Sequence, residues 1–153
     1  WTSTHRNSPP KNARQPMLDI KRLGIDDAGQ LIEGARQHAN DIGVPMCIAV
    51  VDESGNLIAF ERMNGGKISS IGVAQNKAYT AGAARKATHE YNAACVPGNL
   101  VFGIHTQLSV VGGGLPVWVG GDCVGGIGLS SGTPEQDLAC AQAGIDWWRE
   151  RTS

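Results

Sequence analysis

The sequence predicts an α+β layer fold built on a five-stranded antiparallel sheet. Three observations carry this: short β-rich runs joined by tight-turn chemistry, three segments with helical spacing or composition, and no regular alternation of strand and helix that would build parallel βαβ units. A chain of 153 residues, 41% of them hydrophobic, suits one domain that can hold its core by packing alone.

From Asp26 to Asp41 the apolar residues Leu31, Ile32, Ala35, Ala39 and Ile42 recur every three or four positions, which is one stripe of an amphipathic helix. Asp26 and Asp27 sit at its positive end, and Gly43 with Pro45 stops it. Met46 to Val51 is a strand, Asp52-Glu53-Ser54-Gly55 a turn, and Asn56 to Glu61 the returning strand. The unbroken apolar run Cys47 to Val51 places the first strand mid-sheet, covered on both faces, and leaves the second as an edge. After the polar loop Arg62 to Gly66, an alanine-rich helix runs from Ile68 to Lys86, its Gly72, Ala74, Ala78, Ala81 and Ala83 small enough to allow close approach to a sheet or another helix. Thr88 to Ala94 reads as a further helical turn capped by Thr88 and ended by Pro97-Gly98. Leu108–Val111, Leu115–Val119 and Cys123–Leu129 read as a three-strand meander joined at Gly112-Gly113-Gly114 and Gly120-Gly121-Asp122. Thr133 caps the last helix, with Pro134 at its first position and Leu138, Ala141, Ile145 and Trp148 on one side.

Thirteen basic and fourteen acidic residues give a formal charge of −1, so no single-sign field recruits nucleic acid or an anionic membrane. Residues 1–16 carry Arg6, Lys11 and Arg14 and no acid, and read as a flexible basic leader ahead of one domain at 17–153; an ordered arm reaching a neighbouring subunit is the alternative. No stretch approaches the roughly 18 apolar residues of a spanning helix, and no secretory signal is visible, so the expected compartment is the cytoplasm. Cys47, Cys95, Cys123 and Cys140 are isolated, form no metal-binding spacing and read as small buried hydrophobes.

His89-Glu90 opens a zinc-protease pattern, but Ala93 stands where its second histidine belongs. No local spacing brings two of His38, His89 and His105 to one metal. A single imidazole can instead ligate haem iron or move a proton near neutral pH. The runs Gly112–Pro116 and Gly125–Gly132 match neither a phosphate loop nor a dinucleotide fingerprint. They read either as tight turns and bulges or, with the start of the last helix near Ser130, as a small pocket of backbone N–H groups that would accept a carboxylate. Arg62 and Lys77 are the bases near apolar or glycine-rich surroundings. Lys77 is either solvated along its helix or turned into a pocket as a carboxylate partner or proton-transfer group.

The runs VVDESGNLIAFERMNGG, NKAYTAGAARKATHE, VPGNLVFGI and VVGGGLPVWVGGDCVGGIGLSSGTPEQD together resemble the GlcG/HbpS haem-binding-like family (DUF336), in particular the C-terminal domain of PduO-type corrinoid adenosyltransferases. The likeness spans Asp26 to Trp148. It implies a profilin-like α-β-α arrangement with a five-stranded antiparallel sheet, homo-oligomers, and haem or a related tetrapyrrole as ligand. Positions that match the family pattern are Arg62, Met63, Lys77, Gly113, Gly114, Pro116, Gly125, Gly128 and Asp137; Asn64 and Ser131 depart from it, where Asp and Gly are expected. The adenosyltransferase domain of PduO has no counterpart here, so that activity does not carry over.

The leading expectation is therefore a cytoplasmic oligomer that binds haem or another planar cofactor, with His38, His89 or His105 as axial ligand and Gly113, Gly114, Pro116 and Ser130 around it. A second is an enzyme acting on a small carboxylate or aromatic catabolite: Gly112–Pro116 binds the anionic group, Arg62 or Lys77 holds its charge, and His89, Glu90 or His105 moves a proton. A third is an accessory subunit without chemistry. The first two need the middle helix and the triple-glycine bend to share a cavity.

Overall fold

The computed structural model describes residues 13–98 and 107–152; the leader up to residue 12 and His105 lie outside them. Helix α1 spans Ile25–Ile42, strands β1 and β2 Cys47–Asp52 and Leu57–Arg62, and helix α2 Ser70–Ala84. A 3-10 helix, Thr88–Ala94, precedes strands β3, Gly114–Val119, and β4, Asp122–Ser130, and helix α3 closes the chain at Pro134–Thr152.

The sheet is antiparallel with order β2-β1-β4-β3. Strand β1 lies inside it and is buried along its whole length, while β2 forms an edge, as the apolar run predicts. The described residues contain four strands rather than the expected five. Leu108–Val111 runs without a strand partner because its polar backbone is spent elsewhere: Ser109 N–H donates to Thr80 Oγ1 at 2.8 Å, on α2. The last two strands do form a hairpin, but β4 inserts beside β1.

Alternation along β1 makes the layers. Ile48 and Val50, with Ile127 and Leu129 of β4, pack on Leu31 and Ala35 of α1 and on Ala141 and Ile145 of α3. Cys47, Ala49 and Val51 point the other way, onto Ala74 and Ala78 of α2. Gly126 and Gly128 share that second face. A Cβ on Gly128 would lie 2.3 Å from Ala74 O and Ala78 N, so α2 rests directly on the backbone of β4. The glycine run is thus a seat for a helix as well as a source of bends.

The helix ends follow their sequence signals. Gly43 is left-handed at φ 70° and closes α1. Thr133 and Gln136 bond reciprocally at the start of α3, 2.9 and 3.2 Å. Thr88 does not cap the 3-10 helix. It is buried, and its Oγ1 accepts Gly114 N–H at 2.9 Å, while Glu90 takes the capping role by accepting Ala87 N–H at 3.0 Å.

The chain enters α1 through a pinned extended segment. Leu23 N–H donates to Val124 O at 3.1 Å, and Arg22 Nε bonds both oxygens of Glu53, at 2.8 and 3.1 Å. That guanidinium pulls the Glu53 carboxyl down to about 2. A depressed carboxylate stabilises the fold above its unfolded value of 4.5, and the contribution is lost as pH falls from there towards 2. Arg22→Gln is expected to remove this component of the acid-unfolding curve and to speed proteolysis ahead of Leu23; chemical-denaturation curves across that pH interval check it. An unchanged pH profile would show that the clasp does not hold in solution.

Candidate functional site

The triple-glycine bend meets the middle helix, but through packing. Lys77 of α2 is 2% exposed, and its Nζ lies 2.9 Å from Oδ2 of Asp137, itself 2% exposed on the first turn of α3. The other Asp137 oxygen accepts Gly132 N–H at 2.9 Å. Gly113, at φ +123°, sits against this pair: a Cβ there would come within 2.7 Å of Asp137 Cβ and 3.0 Å of Lys77 Nζ. Gly114 is pressed as closely by Lys77 O and Thr88 Cγ2, both 2.6 Å from its would-be Cβ. The space expected as a ligand cavity is filled by the ion pair and Thr88. Burial raises the Asp137 carboxyl above its ordinary value, against the opposing pull of Lys77.

The sequence-named residues therefore fall into separate places. Lys77, Gly113 and Gly114 converge on the bend, and His89 reaches it from the 3-10 helix, with its Cβ 3.3 Å from where a Gly112 Cβ would stand; its side chain faces solvent. Ser130 ends β4 and donates to Ser70 Oγ at 3.1 Å, tying the strand to α2. His38 is half-buried on α1, in a groove of about 270 Å³ with Trp147 and the acids Asp41, Asp146 and Glu150. Arg62 belongs to a third region, at the end of β2. The cysteines are free, and burial pushes the Cys140 thiol up to about 11, far from a reactive thiolate.

A trough that the sequence announced only through Pro116 and Glu90 runs beside the 3-10 helix. About 300 Å³ in volume, it is floored by Leu115, Pro116, Trp118 and Ile145 and also bordered by Glu90. On its rim stand Arg85, Lys86 and Arg149. None of these cations forms an ion pair among the described residues, although Lys86 lies over the Tyr91 ring, 4.7 Å from its centre. Trp118 and Arg149 also line an adjoining apolar hollow of about 360 Å³ with Val119, Trp148 and Thr152. Arg85 and Lys86 project here because α2 ends on a left-handed residue, Arg85 at φ 57°. Arg149 arrives from α3, 64 positions further on, so no local pattern could have joined them.

An apolar floor beneath cations that form no ion pair among the described residues thus marks a surface trough of this small α+β domain. A family model described as haem-degrading HbpS-like protein matches residues 23–146, and the chain belongs to that HbpS-like family. It is 35% identical over 135 residues to a 15.0 kDa protein of Citrobacter freundii from the dhaT-dhaS intergenic region, covering 86% of this chain and 95% of that protein. It is 37% identical over 127 residues to the corrinoid adenosyltransferase PduO of Salmonella typhimurium; the match covers 80% of this chain but only 38% of PduO. Among solved structures, the Klebsiella pneumoniae protein ORFY superposes with a TM-score of 0.85 at 30% identity, covering 90% of this chain and 97% of that one. The PduOC:haem complex superposes with a TM-score of 0.77 at 33% identity, covering 82% and 94%.

Proposed function

We propose that the protein binds haem, or a tetrapyrrole of the same plan, in the trough between the 3-10 helix, β3 and α3. One observation carries the reading: an apolar floor of Leu115, Pro116, Trp118 and Ile145 lies beneath three cations that form no ion pair among the described residues. A haem has that complementary form, an apolar macrocycle with two carboxylates at one edge, so the residues fit the group. Arg85, Lys86 and Arg149 would hold the propionates and His89 would supply an imidazole to the iron. Bound haem contributes an iron centre for one-electron and oxygen chemistry. A relative solved as a haem complex at 33% identity supports the reading.

The adjoining hollow around Trp118, Val119 and Trp148 leaves one side of such a ligand open, which favours a homo-oligomer in which a second copy covers it. Among the described residues no helix is long and apolar enough to cross a membrane. Four free cysteines suit the reducing cytoplasm, the compartment we assign.

Titrating the purified protein with hemin is expected to give a saturable Soret shift. The band weakens in His89→Ala, and affinity falls about ten-fold in Arg85→Ala/Arg149→Ala, as two charge-assisted contacts warrant. His38→Ala and His105→Ala serve as comparators. A titration without saturation rejects haem binding; a shift lost only in a comparator moves the site to that histidine.

A further inference from the structure

The segment that leads into α1 carries an apolar patch of its own. Met17, Leu18 and Ile20 are 86%, 81% and 59% exposed, and Ile25, at the start of the helix, is 65% exposed. A lone apolar side chain on a surface needs no explanation, but a concentration of them in one short stretch marks a contact surface. Further along, the chain is held: Lys21 reaches Asp122 at 3.9 Å, and Leu23 N–H donates to Val124 O at 3.1 Å. The patch is therefore tethered at its C-terminal end while its side chains stay largely in water.

The tether lies beside an unfilled apolar surface. Asp122 is the cross-strand partner of Val119, and Val119 lines the hollow of about 360 Å³ together with Trp118, Trp148, Arg149 and Thr152. Trp148, on the other wall, donates its indole N–H to Asp27 in the first turn of α1 at 3.0 Å. Both walls thus stand next to the place where the segment is fastened. Three extended residues ahead of Lys21 span about 10 Å, enough to carry Leu18 onto a copy seated against this end of the sheet. Charge matches as well. Asp19, between the apolar side chains, and Arg149, at the hollow, form no ion pair among the described residues. An apolar segment with one acid beside an apolar hollow with one base is a self-complementary surface, which is what a two-fold pair requires.

We propose that Met17–Ile20 of one copy seats in the hollow of a second copy and that the exchange is reciprocal. Leu18 and Ile20 cover the wall of Trp118, Val119 and Trp148. Asp19 pairs with Arg149, whose five N–H donors can serve a second carboxylate at the trough. The proposal names the segment behind the homo-oligomer assigned above and rests on that assembly, not on haem.

Sedimentation equilibrium on the ligand-free full chain tests it. The wild type is expected to self-associate. Leu18→Ser/Ile20→Ser, at exposed positions outside the core, should weaken association about 100-fold or more, since each copy loses two large apolar side chains from the contact. Val119→Glu, on the exposed rim of the hollow, should weaken it comparably. A mixture of the two variants decides whose hollow is filled. The intact segment of the Val119→Glu chain meets the intact hollow of the other chain, so mixed pairs should form about ten-fold or more tightly than either variant alone. A wild type that stays monomeric, association unchanged in either variant, or a mixture no stronger than its components overturns the proposal; the last result would mean that each segment folds into its own hollow. A failed hemin titration rejects the trough reading alone, because association is measured without ligand. A monomeric wild type that still shifts the Soret band rejects the segment exchange alone.

Discussion

Lys77→Met is expected to destabilise the fold by about 3–5 kcal/mol, the usual cost of stripping one partner from a buried ion pair. The ammonium lies 2.9 Å from Asp137 in a place where both side chains are sealed from water. Methionine fills the volume of the lysine stem, so the loss would be electrostatic rather than a cavity effect. With the cation gone, Asp137 keeps one hydrogen bond, from Gly132, against a burial that already pushes its carboxyl above 3.8. The pH dependence has a definite sign. A carboxyl whose folded pKa is raised holds its proton more tightly in the folded state, so its contribution is fully present below 3.8 and is lost as pH rises through the folded value. The deficit of Lys77→Met relative to the wild type should therefore shrink on acidification from neutrality. Lys77→Met/Asp137→Leu, which removes both charges, should recover most of the loss. Denaturant midpoints for the three proteins at two pH values check this; Lys77→Met within about 1 kcal/mol of the wild type, or a double variant worse than the single, refutes the electrostatic account.

The proposed trough adds a comparison to that experiment. Lys77 and Asp137 fill the ground once expected to hold a ligand, whereas the trough lies on the surface. A folded double variant should bind hemin as the wild type does.

Local chemistry made most of the fold legible. The apolar run Cys47–Val51 announced a strand covered on both faces, and the stripe of α1, its Gly43 stop and the Thr133 cap all appear where their spacing put them. The strand expected at Leu108–Val111 failed because a side chain from α2, Thr80, captured its backbone, and only tertiary structure reveals such a competitor. Family likeness drew attention to Lys77, Gly113, Gly128 and Asp137. In the structure these turn out to be packing and charge-pairing positions: Lys77 binds Asp137, Gly113 makes room for the pair and Gly128 seats a helix. The cations that surround the trough were invisible, because Arg85 and Arg149 come from the ends of different helices.

Gly128→Ala should cost about 3 kcal/mol, at the upper end of what one added methyl does in a filled core. The reason is what the methyl would strike. Its nearest neighbours, each at 2.3 Å, are Ala74 O and Ala78 N, both backbone atoms of α2. A side chain could rotate away; a helix backbone must translate, and α2 is itself held by Lys77–Asp137 at one point and by Ser70–Ser130 at another. Trimming the neighbour does not help, so Ala78→Gly on top of Gly128→Ala is expected to lower stability further by removing a buried methyl without relieving the clash. Gly29→Ala supplies the opposite sign: it lies at an exposed position of α1 with nothing within 4 Å of the new methyl, and should stabilise by up to about 1 kcal/mol through helix propensity. If Gly128→Ala melts with the wild type, α2 does not rest on β4 as closely as described, and the small residues along that helix lose their explanation.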